Sequence, residues 1–93
     1  MFSDDLTLPF LERAREDLPD LDLIDAHTHL GSNDPDDYRC TPGELLAALE
    51  LADARAAVFP MHEPGGYAPA NDFVIEQARG SGGRLAAFCR LDP

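Results

Sequence analysis

The fold is indicated by residues 21–31, which read LDLIDAHTHLG. Leucine and isoleucine at the start of this stretch favour a β-strand over residues 21–30, and Gly31 opens a polar loop. Side chains alternate between the two faces of a strand, so Asp25, His27 and His29 are expected on one face. Leu23 is expected on that same face, filling the interior below the two histidines.

Two further strands are predicted downstream. Residues 55–62 contain the near-continuous apolar run AAVFPM, which is typical of a parallel sheet covered on both faces. Residues 84–90 alternate in polarity and form the third predicted strand, directly after the glycine-rich linker 80–83.

A helix is predicted in each of the two connections. In the first, Thr41 and Glu44 have the spacing of a capping box, with Pro42 in the first turn. In the second, Asn71 and Asp72 are expected to cap a helix that ends at Gly80.

The resulting order β-α-β-α-β predicts the α/β class with a parallel sheet. Three such strands leave two unpaired edges, so we expect the first three strands of a longer protein, incomplete on their own. We expect an inward face formed by Leu23, Val58, Leu85 and Ala87 to be partly bare.

Residues 1–20 are predicted to be a helical leader that packs on the outside of something larger, and residues 21–93 the main portion. Phe10, Ala14 and Leu18 recur every four residues, which predicts an amphipathic helix over residues 6–18.

Composition excludes several classes of function. The chain has 18 acidic residues against 7 basic ones, giving a net charge of −11, so nucleic acid is not an expected partner. No apolar run approaches the ~20 residues that span a bilayer, and the acidic N-terminus is unlike a secretory signal. Cys40 and Cys89 are far apart in sequence, as reduced thiols of a cytoplasmic protein would be.

The candidate chemistry lies in the two histidines. A strand rises ~3.3 Å per residue, so the α-carbons of His27 and His29, two residues apart, are expected about 6.6 Å from each other. That distance is short enough for both imidazoles to bind one divalent metal ion, with zinc favoured. The alternative is a pair of surface imidazoles. Asp25 is expected to orient a ligand imidazole or a neighbouring backbone group, or else only to pack. His62 is a candidate substrate contact at the end of the second strand, or a solvent-facing side chain.

The stretch IDAHTHLG resembles the first-strand metal motif of the amidohydrolase superfamily. It is most similar to the amidohydrolase-2 branch, which includes decarboxylases related to aminocarboxymuconate-semialdehyde decarboxylase. The segments TPGELLAALELADARAAVF and NDFVIEQARGSGGRLAAFCRLDP resemble later elements of that branch. The resemblance covers residues 20–93.

This resemblance implies the start of a TIM-type (β/α)8 barrel, with His27 and His29 as metal ligands. It also implies a third His and an Asp from later strands, and in two-metal members a bridging carboxylated Lys or Glu. The 93 residues contain no Lys and stop before those strands.

The implied function is a metal-dependent hydrolase that acts on a small organic substrate through a metal-activated water. One alternative is a decarboxylase of the same superfamily. Another is a phosphoesterase or deoxyribonuclease, against which the net charge weighs. The alternative of another class is a non-catalytic binding module or inactive fragment, associating through its strand edges. A homo-oligomer is compatible with each.

Overall fold

The structure, a computed structural model, describes residues 4–92. This part of the chain is an α/β unit in which helices and strands alternate. Its elements are α1 (Asp4–Asp17), β1 (Leu23–Leu30), α2 (Pro42–Ala52), β2 (Ala54–Pro60), α3 (Ala68–Arg79) and β3 (Leu85–Ala87). Residues 1–3 of the predicted leader and residue 93 lie outside the described residues.

The three strands form one open sheet in the order β1-β2-β3, and both neighbouring pairs are parallel. The prediction of an α/β unit with parallel strands is therefore confirmed. β3 is shorter than the predicted span 84–90, although the amide of Phe88 still donates to the carbonyl of Val58 at 2.9 Å. The carboxyl ends of all three strands lie at the same edge of the sheet.

Helix α2 begins as predicted. The Thr41 hydroxyl accepts from the Glu44 amide at 3.2 Å, and the Glu44 carboxylate accepts from the Thr41 amide at 2.9 Å. The predicted start of the next helix is wrong, because α3 begins at Ala68 with Pro69 in its first turn. Proline fits that position, since its missing N–H would have no helical partner there.

Both crossover helices pack on one face of the sheet. Val58 from β2 and Val74 from α3 are fully buried, and Leu85 is 5% exposed. Leu23 and Ala87 are partly buried against the same core. The predicted bare face was therefore wrong, because its four residues all face the helices.

The uncovered face carries the intervening residues of the strands. Ile24 is 53% exposed and Phe88 is 49% exposed, and the rings of Phe59 and Phe88 stack with centroids 5.2 Å apart. Helix α1 lies outside the core with no buried residue, and its Arg15 donates to the carbonyls of Ala52 and Asp53 at the end of α2.

A register shift in β1, between Asp25 and Thr28, changes the face of the sheet on which some side chains were predicted to lie. Asp25 pairs with Ala56 and Thr28 pairs with Val58, so three steps along β1 match two along β2. Such a bulge places one extra residue in β1 and switches the face on which the following side chains lie. Asp25 is consequently on the helix-covered side. His29 pairs with Phe59 and lies on the open side.

Within residues 4–92, no helix combines the length and apolar character needed to cross a bilayer.

Candidate functional site

His27 and His29 come together at the C-terminal end of β1. Their Nε2 atoms are 3.0 Å apart and their ring centroids 4.8 Å apart. The Phe59 ring contacts both imidazoles, with its centroid 5.6 Å from that of His27 and 6.0 Å from that of His29. The structure thus brings together the two predicted metal ligands on the open face of the sheet.

The hydrogen bonds of His29 determine its tautomer. Its Nδ1 lies 3.2 Å from the carbonyl oxygen of Pro60, which can only accept. Nδ1 therefore carries the proton, and in the neutral ring Nε2 is left with a free lone pair. The facing Nε2 of His27 is then the donor in the contact between the two rings. A carbonyl that holds Nδ1–H is the usual means of aiming an Nε2 at a metal ion.

The spacing of the two Nε2 atoms fits a divalent metal ion, provided that the proton on Nε2 of His27 moves to Nδ1, because only an unprotonated ring nitrogen binds a metal. Tetrahedral zinc with Zn–N bonds of about 2.0–2.1 Å holds two ligand nitrogens roughly 3.3–3.4 Å apart. The observed 3.0 Å between the Nε2 atoms requires only a small side-chain adjustment to reach that spacing. Residues 4–92 contain no cluster of three or more His, Cys, Asp or Glu side chains able to hold a metal ion.

Asp25 does not lie beside the imidazoles. Its Oδ1 accepts from the backbone amide of His27 at 3.0 Å, across the bulge. The carboxylate borders a hollow on the helix-covered side, together with residues of α2 such as Leu45 and Ala48. The expectation that Asp25 shares a face with the histidines is wrong. Asp25 was expected to orient either a ligand imidazole or a neighbouring backbone group. The contact observed is with a backbone group, the His27 amide.

His62 lies beyond the end of β2, which stops at Pro60 rather than at residue 62. Its imidazole Nδ1 is 3.9 Å from Oδ2 of Asp34, a carboxylate whose side chain is only 12% exposed. His62 borders the same shallow hollow as His29. The structure therefore places His62, the candidate substrate contact, at the hollow that His29 also lines.

Gly31 allows the loop after β1 to pass close to the end of β2. Its φ of +151° is in the region that favours glycine, and a Cβ there would lie 2.8 Å from the Cβ of Met61. The Gly31 amide and carbonyl pair with Cys40 at 3.1 and 2.9 Å, which closes the loop 31–40 into a compact turn. This closure places Asp34 beside His62.

Arg90 is a residue of this hollow that the sequence interpretation missed. It lies three residues beyond β3, at the same edge of the sheet as His29 and His62, and lines the hollow with them. Its position after the third strand was the available signal, since strand ends of parallel sheets carry binding residues.

Comparison of the chain with protein-family models, curated proteins and solved structures found no match.

Proposed function

We propose that this chain belongs to a metal-dependent hydrolase of the amidohydrolase type, acting in the cytoplasm on a small organic substrate. His27 and His29 are the first two ligands of a divalent metal ion, with zinc the favoured metal. The observation that carries the proposal is the 3.0 Å approach of the two Nε2 atoms at the carboxyl end of a parallel strand.

The surroundings of the pair support a metal role over a pair of surface imidazoles. The Pro60 carbonyl holds the Nδ1 proton of His29, so that its Nε2 faces His27. The Asp25 carboxylate holds the His27 amide at 3.0 Å and thereby supports the bulge that turns His27 toward the open face. Two surface histidines would need neither of these contacts.

The open face supports the barrel part of the proposal. Ile24, Phe59 and Phe88 form an apolar surface on a sheet whose other face is already covered by helices. In a (β/α)8 barrel this face is the interior, and the carboxyl ends of the strands carry the active site. A catalytic zinc site takes three protein ligands, and in the family resembled the remaining ones come from later strands.

His27, His29 and His62 would each have a separate role at this site. A bound divalent ion would lower the pKa of a water ligand and polarise a substrate carbonyl. His29 is held in one tautomer by Pro60, and His27 is aimed by its bulge, so both present Nε2 to the same point. His62, beside Asp34, borders the hollow where a substrate would lie. Decarboxylation at the same site is the second candidate.

A zinc titration of purified chain by calorimetry tests the proposal. Two imidazoles alone bind zinc weakly, so we expect low affinity with one ion per chain. His27→Ala and His29→Ala should each weaken zinc binding by about tenfold or more. The matched control is His62→Ala, which removes a histidine from the same surface and should change zinc affinity by less than about twofold. Equal losses in all three variants would contradict the proposal.

A further inference from the structure

Helix α1 lies against α2 without burying any of its own side chains. Leu8 and Leu11 of α1 are half-buried and line an open hollow of about 940 Å³, which Ala48 and Leu51 of α2 also line. Leu51 remains 57% exposed, so the two helices border the hollow without filling it. Apolar burial therefore contributes little to the docking of α1, because that contribution scales with the apolar area removed from water.

Arg15 ties the carboxyl end of α1 to that of α2. Its Nη2 donates to the carbonyl oxygens of Ala52 and Asp53, the latter at 2.9 Å, and its Nη1 lies 3.9 Å from Oδ2 of Asp53. A cation is favourable at this position, since the last carbonyls of a helix carry partial negative charge. The Asp53 side chain is 77% exposed, so dissolved salt screens the attraction between the two charges.

A second arginine holds the same end of α2 from the side of the sheet. Nη1 of Arg84 donates to the carbonyl oxygens of Ala54 at 2.8 Å and Leu49 at 3.3 Å, and it lies 3.8 Å from Oδ1 of Asp53. Arg84 directly precedes β3, so its position does not depend on α1. The end of α2 therefore keeps a cationic partner when Arg15 leaves it.

The segment between α1 and β1 is suited to act as a hinge. Residues 18–20 are exposed, and the Leu21 amide donates to the Leu18 carbonyl at 3.0 Å to form a turn. Just beyond this turn, the Asp22 carboxylate accepts from Nε and Nη2 of Arg55 on β2, at 3.2 and 2.5 Å. A movement of α1 about residues 18–21 therefore leaves the start of β1 in place.

We propose that α1 is a detachable strap, which docks on α2 and leaves it as a unit while the sheet, α2 and α3 stay folded, with Arg15 as the latch. An isolated helix of 14 residues is marginal in water, so α1 also loses helical hydrogen bonds when it undocks. Salt favours the undocked state, because it screens the contact of Arg15 with the end of α2. Undocking uncovers the outer side of α2 and does not involve His27 or His29, so the inference is independent of the proposed function.

Hydrogen exchange followed by mass spectrometry on the 93-residue chain tests the inference. Peptides from α1, β2 and α3 are compared at low salt and in about 1 M NaCl. In the wild type, we expect the amides of α1 to exchange at least about tenfold faster than those of β2. High salt should speed exchange in α1 by about threefold or more and leave β2 unchanged. Arg15→Gln should speed exchange in α1 by about fivefold or more at low salt, remove most of the salt effect and leave β2 and α3 unchanged.

Arg13→Gln is the matched control, because it removes the same charge from the same helix. The Arg13 side chain is 77% exposed, and its Nε lies 3.7 Å from Oδ2 of Asp17 within α1. Such an exposed pair contributes little, so we expect exchange in α1 to change by less than about twofold. Equal exchange of α1 and β2 in the wild type, the absence of a salt effect, or equal effects of the two substitutions would each overturn the inference. Parallel acceleration of α1 and β2 in Arg15→Gln would also overturn it, because α1 would then unfold together with the sheet.

Discussion

Asp25 and His29 lie on opposite faces of β1, although four residues of regular strand would place them on the same face. The bulge between Asp25 and Thr28 causes the difference, and the Asp25 carboxylate bridges it by accepting from the His27 amide at 3.0 Å. This contact assigns a structural role to the Asp25 carboxylate. It stabilises the local backbone shape that lets His27 reach His29.

Substitution of Asp25 tests that role. Asp25→Ala removes the acceptor of the His27 amide and should weaken zinc binding about fivefold, the effect of one hydrogen bond of about 1 kcal/mol. Asp25→Asn keeps an acceptor oxygen in the same place and should stay close to the wild type in a calorimetric titration. If asparagine were as damaging as alanine, the charge rather than the hydrogen bond would be responsible, and this account of the bulge would be wrong.

The two faces of the sheet should respond differently to truncation. Val58→Ala removes buried methyl groups from the helix-covered core and should lower the free energy of unfolding by about 2 kcal/mol. Ile24→Ala removes more carbon from the open face, where the side chain is 53% exposed, and should cost about 1 kcal/mol or less. Urea unfolding of both variants compares them directly. A larger loss at Ile24 would mean that the open face, not the helix face, is the core.

Reactivity of Cys40 reports on the start of α2. Burial, and after it the negative charge of Glu44, raises the pKa of the Cys40 thiol above its ordinary value. Less thiolate is then present at a given pH, so iodoacetamide should modify Cys40 more slowly than the exposed Cys89.

Glu44→Gln separates the two causes. Glutamine can still complete the capping box with Thr41, so the helix start is preserved. Loss of the negative charge should lower the pKa of Cys40 and speed its alkylation at any fixed pH below that pKa. Mass spectrometry of the alkylated peptides gives both rates. Unchanged Cys40 kinetics would show that Glu44 does not affect the thiol.

The sequence predicted the features that depend on local chemistry. The capping pair of Thr41 and Glu44, the parallel α/β order and the convergence of His27 with His29 are all present. The face of Asp25 could not be predicted, since it depends on a bulge that appears only when β1 pairs with β2. Asn71 was misread as a helix cap because its real partner, the backbone of Arg90, is 19 residues away in sequence.

The central claim is that His27 and His29 bind one metal ion through their Nε2 atoms, and ¹⁵N NMR of the imidazole rings during zinc addition tests it most directly. We expect the Nε2 signals of both residues to move together, while Nδ1 of His29 keeps its proton and its bond to the Pro60 carbonyl. The ring of His62 should be unaffected. Zinc-dependent shifts confined to His62, or binding through Nδ1 of His29, would contradict the account.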